Sequence, residues 1–299
     1  MSLKNFFIVL LFFIFSCANA QYNFSFTGRF ASVHLILNTD LKKFFDADAK
    51  RLREAKVKSV TVTNENEEFE KYDLNTRGFI ENLVTHNELY AGGEEDETEY
   101  NIKYNVGGLI SYIYYSPDQT GIFYEHDYGK LFTIRSESYE GIDYFGRYYY
   151  VNDLPDSLYT DLNYNGTRTS TRFKIETDSE TRLIKKITDV TIPNPEVVFV
   201  ITSDDKSMTV KAPDVKDDLS GYYMPARTDY DNQKYMKFTF EGEKISSYTT
   251  LKKIKEVLYT FTFAYSYQPN GLIDNVSITK TSDKKSTTKS YKYKYELFE

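Results

Sequence analysis

From Tyr259 to Tyr267 every second residue is aromatic, with Tyr259, Phe261, Phe263, Tyr265 and Tyr267 alternating with Thr260, Thr262, Ala264 and Ser266. A period of two puts the rings on one face of an extended strand and the short side chains on the other. The same beat runs through Val60 and Val62 against Thr61 and Thr63, and through Tyr291, Tyr293 and Tyr295 against Lys292 and Lys294. Parallel strands would read as continuous apolar runs, so the pattern predicts half-buried antiparallel strands. Val197-Val198-Phe199-Val200-Ile201 is the exception and reads as a strand covered on both faces.

Between the strands a phrase recurs: an aromatic residue, a short polar turn containing Gly, then an aliphatic residue or pair. It stands as Tyr104-Asn105-Val106-Gly107-Gly108-Leu109-Ile110 and as Tyr267-Gln268-Pro269-Asn270-Gly271-Leu272-Ile273. Looser copies lie at Tyr72-Asp73 with Arg77-Gly78-Phe79-Ile80, at Tyr124 with Tyr128-Gly129-Lys130-Leu131, and at Phe240-Glu241-Gly242-Glu243-Lys244-Ile245. Glycine supplies the positive φ that a tight hairpin needs, and Asn270-Gly271 is a strong hairpin signal. One copy per hairpin gives a repeat architecture.

The phrase resembles the YD repeat, the Tyr-Asp-x-x-Gly-x-Leu pattern of secreted and surface proteins of the Rhs type. Only Tyr72-Asp73 keeps the literal dipeptide, and its Gly78 lies further on than the pattern wants. The resemblance implies consecutive hairpins serving as scaffold, shell or recognition face, and it implies no chemistry.

The predicted fold is mainly β: consecutive antiparallel hairpins in an extended or curled sheet, with one N-terminal amphipathic helix. Residues 21–37 end in Val33-His34-Leu35-Ile36-Leu37 and read as a strand. Leu41, Phe44, Phe45, Ala49 and Leu52 then fall at helix spacing, with Asp40 as N-cap, which predicts a helix over about 40–55. The expected organisation is a signal peptide over 1–20, a strand and helix cap over 21–56, a hairpin sheet over 57–202, a turn-rich connection over 203–234, and C-terminal hairpins over 235–299.

Export is read from Lys4, the apolar run Phe6 to Phe15 and the small-x-small site Ala18-Asn19-Ala20. Ten apolar residues are too few for a spanning helix, and no transmembrane span is expected after cleavage. Cys17 is the sole cysteine, so the alternative to soluble export into the periplasm or medium is a lipid anchor on that residue. Disulfides cannot hold the fold. The formal net charge is −7, which disfavours nucleic acid as a partner. The 28 Tyr and 22 Phe, with no Trp, suit sheets whose faces are partly wet.

No catalytic, metal or cofactor site is predicted. His34, His86 and His126 show no metal-ligand spacing, and the chain has no Gly-x-Ser-x-Gly elbow. Glu94-Glu95-Asp96-Glu97, Asp204-Asp205 and Asp217-Asp218 read as solvated loops rather than calcium sites. Lys280, Lys284, Lys285, Lys289, Lys292 and Lys294 read as protection of an exposed final strand, with contact to an anionic glycan or lipid head group as the functional alternative.

The expected function is a non-enzymatic binding or scaffold surface in the cell envelope, with Tyr259, Tyr265, Tyr267, Tyr291, Tyr293 and Tyr295 as the candidate face and a protein, glycan or apolar ligand as partner. The alternatives are a carrier holding a lipid in a curled sheet and a glycan-active hydrolase whose two carboxylates no local signature identifies. An outer-membrane barrel is disfavoured, because its lipid-facing rows should be aliphatic, whereas many rows here carry Thr, Ser, Lys or Glu on one side and Tyr on the other.

Overall fold

In the computed structural model the described residues are 26–64, 68–86, 97–115, 120–137, 142–164, 166–191, 193–213, 215, 235–254, 257–282 and 285–299. The expected signal peptide, Glu94 to Asp96 and Asp217-Asp218 lie outside them, as do 216–234 of the connection.

Two helices, α1 (Phe26–Asn38) and α2 (Lys42–Glu54), precede an unbroken series of strands. The first nine are β1 (Val57–Thr63), β2 (Glu68–Leu74), β3 (Ile80–His86), β4 (Glu97–Tyr104), β5 (Ile110–Tyr115), β6 (Thr120–Asp127), β7 (Lys130–Glu137), β8 (Ile142–Val151) and β9 (Leu154–Tyr164). They continue as β10 (Thr167–Thr177), β11 (Ile184–Asp189), β12 (Glu196–Ser203), β13 (Ser207–Lys211), β14 (Tyr235–Glu241), β15 (Lys244–Ile254), β16 (Val257–Tyr267), β17 (Ile273–Ser282) and β18 (Lys285–Leu297).

Each strand pairs antiparallel with the next, and β18 returns to pair with β1 through Val60↔Tyr295 and Val62↔Tyr293. The 18 strands therefore form a closed barrel, which corrects the expected open sheet. Closure removes both free edges, and with them the unpaired backbone groups an open sheet must shield.

The walls face opposite ways chemically. Buried residues alternate with exposed ones along the strands, and the buried set forms one continuous core from α1 to Tyr293. Tyr72, Tyr100, Tyr148, Tyr248, Phe199 and Phe263 are among its fully buried side chains. The rings seen in the sequence therefore point inward.

Inside the barrel runs α1. Ala31 through Leu37 are buried without a break, and the helix lies against β7, β9, β11 and β12. This overturns the strand expected over 21–37. A segment covered on every side is apolar on every side, and a short apolar run carries no period to tell a buried strand from a buried helix. Gly146 makes room for it: a Cβ there would come within 3.5 Å of Ala31 Cβ and 2.9 Å of Ile134 Cγ2.

The predicted amphipathic helix is α2, and it lies across one mouth of the barrel as a lid. Phe44, Phe45, Ala49 and Leu52 face in, with Phe44 stacked on Phe240 at 4.3 Å between ring centroids. Leu41, not Asp40, occupies the N-cap position. The Asp40 carboxylate instead accepts from the Ile184 backbone N–H at 3.1 Å and from the Thr39 hydroxyl at 3.0 Å, tying the interhelical turn to β11.

The recurring phrase has one geometry. Gly78, Gly108, Gly129, Gly242 and Gly271 all take positive φ, between 60° and 82°. Three turns close the same way, with Asn75, Asn105 and Gln268 donating backbone N–H groups to Phe79, Leu109 and Leu272 carbonyls. Each phrase also carries a strand bulge, at Asp73/Leu74, Lys103/Tyr104, Glu125/His126, Thr239/Phe240 and Ser266/Tyr267. A tyrosine one strand on satisfies the carbonyl beside a bulge: Tyr104 donates to Ile80, Tyr267 to Ile245 and Tyr295 to Ile273, at 2.9, 2.6 and 2.6 Å. Tyr150 does the same for Leu131 at 2.7 Å. For Tyr104 and Tyr267 the aromatic of one phrase thus finishes the turn of the phrase before it.

Gly78 also seats the lid. A Cβ on it would fall 2.5 Å from the Ala49 carbonyl oxygen and 2.9 Å from the Arg53 backbone nitrogen, at a φ of 78°. Both neighbours are backbone and cannot swing aside, so Gly78→Ala is expected to cost about 2–3 kcal/mol. Urea denaturation followed by circular dichroism measures this, and a loss below about 0.5 kcal/mol would show that the lid is not seated as described.

Within 203–234, β13 is part of the wall. Ala212 and Val215 pack with Tyr235, Leu251 and Leu258 in a small separate cluster. Register places Leu251 opposite Thr260, on the outer side of the barrel.

Candidate functional site

The six tyrosines of the expected binding face are interior residues. Tyr265, Tyr291 and Tyr293 are buried, and Tyr259, Tyr267 and Tyr295 are half-buried against the core. The alternation places these rings on one face, expected to be partly wet and open to a partner; ring closure makes that face the inside, so no open tyrosine surface remains there.

Two polar islands interrupt this interior. The first is His34 of α1, whose Nδ1 lies 3.2 Å from the Tyr124 hydroxyl, while Tyr148 donates to the Ala31 carbonyl at 2.8 Å. Burial lowers the His34 pKa from 6.5 to about 3 because the imidazolium would lose its hydration. The second is Glu70, fully buried and accepting a hydrogen bond from Tyr72. Burial pushes the Tyr265 and Tyr293 phenols well above their usual range, followed by the Glu70 charge for Tyr293 and by Tyr267 and then Glu70 for Tyr265.

The buried Tyr265 hydroxyl has no hydrogen-bond partner among the described residues. Removing an unsatisfied buried hydroxyl relieves a desolvation cost, whereas removing a satisfied one strands its partner. Tyr265→Phe is therefore expected to be neutral or to stabilise by about 1 kcal/mol, and Tyr295→Phe, which abandons the Ile273 carbonyl, to destabilise by about 1 kcal/mol. Thermal unfolding of the pair checks the sign, and equal shifts would sink the assignment.

The remaining candidates are dispersed. His126 sits at the β6–β7 turn, where burial and then the Lys42 ammonium lower its pKa to about 4. The His86 side chain is not among those described. Asp204 accepts from the Lys206 and Ser207 backbone N–H groups, so its carboxylate builds a turn. Among the described residues no three His, Cys, Asp or Glu side chains converge as a metal requires, and no helix is long and apolar enough to cross a membrane.

The outer wall offers different chemistry. Thr249 pairs with Thr262, Ser277 with Ser290, Thr279 with Thr288 and Thr281 with Ser286, at 2.9–3.2 Å between hydroxyls. Lys71, Lys292 and Lys294 are exposed beside this hydroxyl lattice. At the lid end, the turn residues Val106 and Tyr128 are 97% and 95% exposed. These outward features were missed because alternation reports which residues share a face, not which faces assemble into one wall.

No family model and no curated protein matches the chain. Among solved structures it is similar to a porin-like protein from Bacteroides uniformis ATCC 8492, at 15% identity and a TM-score of 0.38, over 80% of this chain and 96% of that one. It is also similar to a chain of the TcdB2-TccC3-Cdc42 complex, at 9% identity and a TM-score of 0.27, over 80% of this chain and 16% of that one. Likenesses this low establish no common fold, and the barrel rests on its own strand pairing.

Proposed function

We propose that the chain is an exported, non-enzymatic barrel that serves as a binding or scaffold module of the cell envelope, making its contacts through the outer wall and the turn rims. The observation behind this reading is the sense of the wall. Apolar rings fill the inside, while Thr, Ser and Lys occupy the outward positions of β16, β17 and β18. A barrel embedded in lipid needs an apolar band around its whole outside, and the outward face of β16, β17 and β18 has none. The hairpin phrases fit degenerate YD-like repeats used as scaffold. The lipid-carrier alternative is less favoured, because α1 occupies interior space a ligand would need.

The test is to express the full chain, recover the exported fraction, sequence its N-terminus and extract it with organic solvent. A chain starting at Gln21, carrying no stoichiometric lipid and releasing no reducing sugar from envelope polysaccharide, is expected. Stoichiometric lipid would overturn the reading in favour of a carrier, and released sugar in favour of a hydrolase.

A further inference from the structure

Closure of the barrel changes the reading of two of the C-terminal lysines. Lysine on a final strand protects an open edge, which still fits Lys285 and Lys289, since 285–291 pair with β17 alone; Lys292 and Lys294 lie where β18 pairs with β1. Lys292 and Lys294 are outward residues of an interior strand, opposite Thr63 and Thr61 of β1. Lys71 of β2 stands opposite Thr61 on the other side, so Lys71, Thr61 and Lys294 form one row across three strands.

Strand geometry sets the spacing: Lys292 and Lys294 are about 7 Å apart along β18, and Lys71 is about 10 Å across the sheet from Lys294. Two carboxylates stand at outward ladder positions beside the lysine row: Asp73 of β2, opposite Ser59 of β1, and Glu296 of β18. Glu296 is engaged by Lys58 at 2.8 Å and by the Ser59 hydroxyl at 2.9 Å. In a chain with 44 acidic and 37 basic residues, this flank is locally cationic. Beside the lysines the exposed hydroxyl pairs Ser277–Ser290, Thr279–Thr288 and Thr281–Ser286 extend the surface along β17 and β18.

We infer that this flank, from β16 to β2, is a docking surface for an anionic polysaccharide, a refinement that rests on the binding-module reading above. Charge complementarity selects a polyanion. The neighbouring hydroxyl rows offer donors and acceptors to sugar hydroxyls along an extended chain. A membrane would call for apolar side chains among the lysines, whereas the residues between them are Thr and Ser. The negative net charge of the whole chain works against the dense phosphates of nucleic acid.

The experiment uses the full exported chain in affinity electrophoresis through gels holding polygalacturonate, dextran sulfate or neutral dextran, with duplex DNA and phosphatidylserine vesicles assayed alongside. Retardation by both anionic polysaccharides, weakening as salt rises, and none by neutral dextran is expected. The triple variant Lys71→Gln/Lys292→Gln/Lys294→Gln should bind roughly tenfold more weakly. The control Lys103→Gln/Arg172→Gln/Lys206→Gln, which removes equal charge elsewhere, should bind within about twofold of the parent. Thr279→Val/Thr288→Val should weaken binding roughly threefold with the charge intact. Circular dichroism confirms that each variant folds. Equal loss in both triples, no retardation at all, or binding to vesicles or DNA without polysaccharide would overturn the proposal. The extraction test above reads the interior, so either result can fail while the other stands.

Discussion

A chain ended before Lys285 should fail to yield a folded monomer. Without β18 the barrel loses its pairing to β17 and to β1 together, leaving two open edges in place of none. The cut also removes Tyr291 and Tyr293, 1% and 2% exposed. Each fully buried large side chain contributes about 1.5–3 kcal/mol, and the lost backbone pairs and newly wetted core add to that. The sum rivals the whole stability of an ordinary domain, about 5–15 kcal/mol. Size-exclusion chromatography and circular dichroism should show aggregates or an expanded chain. Adding a synthetic peptide spanning 285–299 during refolding should restore monomer. A truncated chain that unfolds cooperatively as a monomer would show that the closing pair is dispensable.

The second large effect is acid lability. Burial inside the barrel lowers the folded pKa of His34 to about 3, from an ordinary value of 6.5. Unfolded, it takes up a proton below pH 6.5; folded, it does not until about pH 3. Its contribution is therefore complete above pH 6.5 and is lost progressively as pH falls toward 3, by several kcal/mol in all. His126, lowered to about 4, acts in the same direction over the upper part of that window. Asp40 acts oppositely: burial raises its carboxyl to about 6, so the folded state gains relative stability as pH falls from 6 toward 4. Two bases against one acid leave a net loss. Urea midpoints at pH 7, 5.5 and 4 should fall steadily, and His34→Gln should flatten that fall. An unchanged slope in the variant would place the acid sensitivity elsewhere.

Much of the wall was legible from local pattern. Gly78, Gly108, Gly129, Gly242 and Gly271 were read as hairpin bends and all take left-handed backbone. The helix read from Leu41, Phe44, Phe45, Ala49 and Leu52 is present as α2 with its amphipathic face inward. Closure was not legible, because Val60 and Val62 alternate identically whether their outer neighbour is water or β18. One fact about distant residues then reassigned several local readings at once: the tyrosine face became the interior, and Lys292 and Lys294 became part of a continuous flank. The helix α1 was missed for a related reason. Its apolar run is uniform because the barrel surrounds it, and that surround is tertiary. Asp40 was given a capping role because its neighbours in sequence invite one, whereas its partner, Ile184, lies on β11.

The seam between β1 and β18 joins the two ends of the ring, sealed by the Phe298 amide on the Lys56 carbonyl at 2.8 Å. Every other ladder contact links consecutive strands and can form as soon as its hairpin exists, while this one must wait for β18. Synthesis from the N-terminus therefore delivers the mandrel first, winds the staves around it in order, and drives the final hoop last. Until that moment the nascent molecule is an open scroll with a greasy lining, and its exposure to misassembly lasts until β18 has been made and placed.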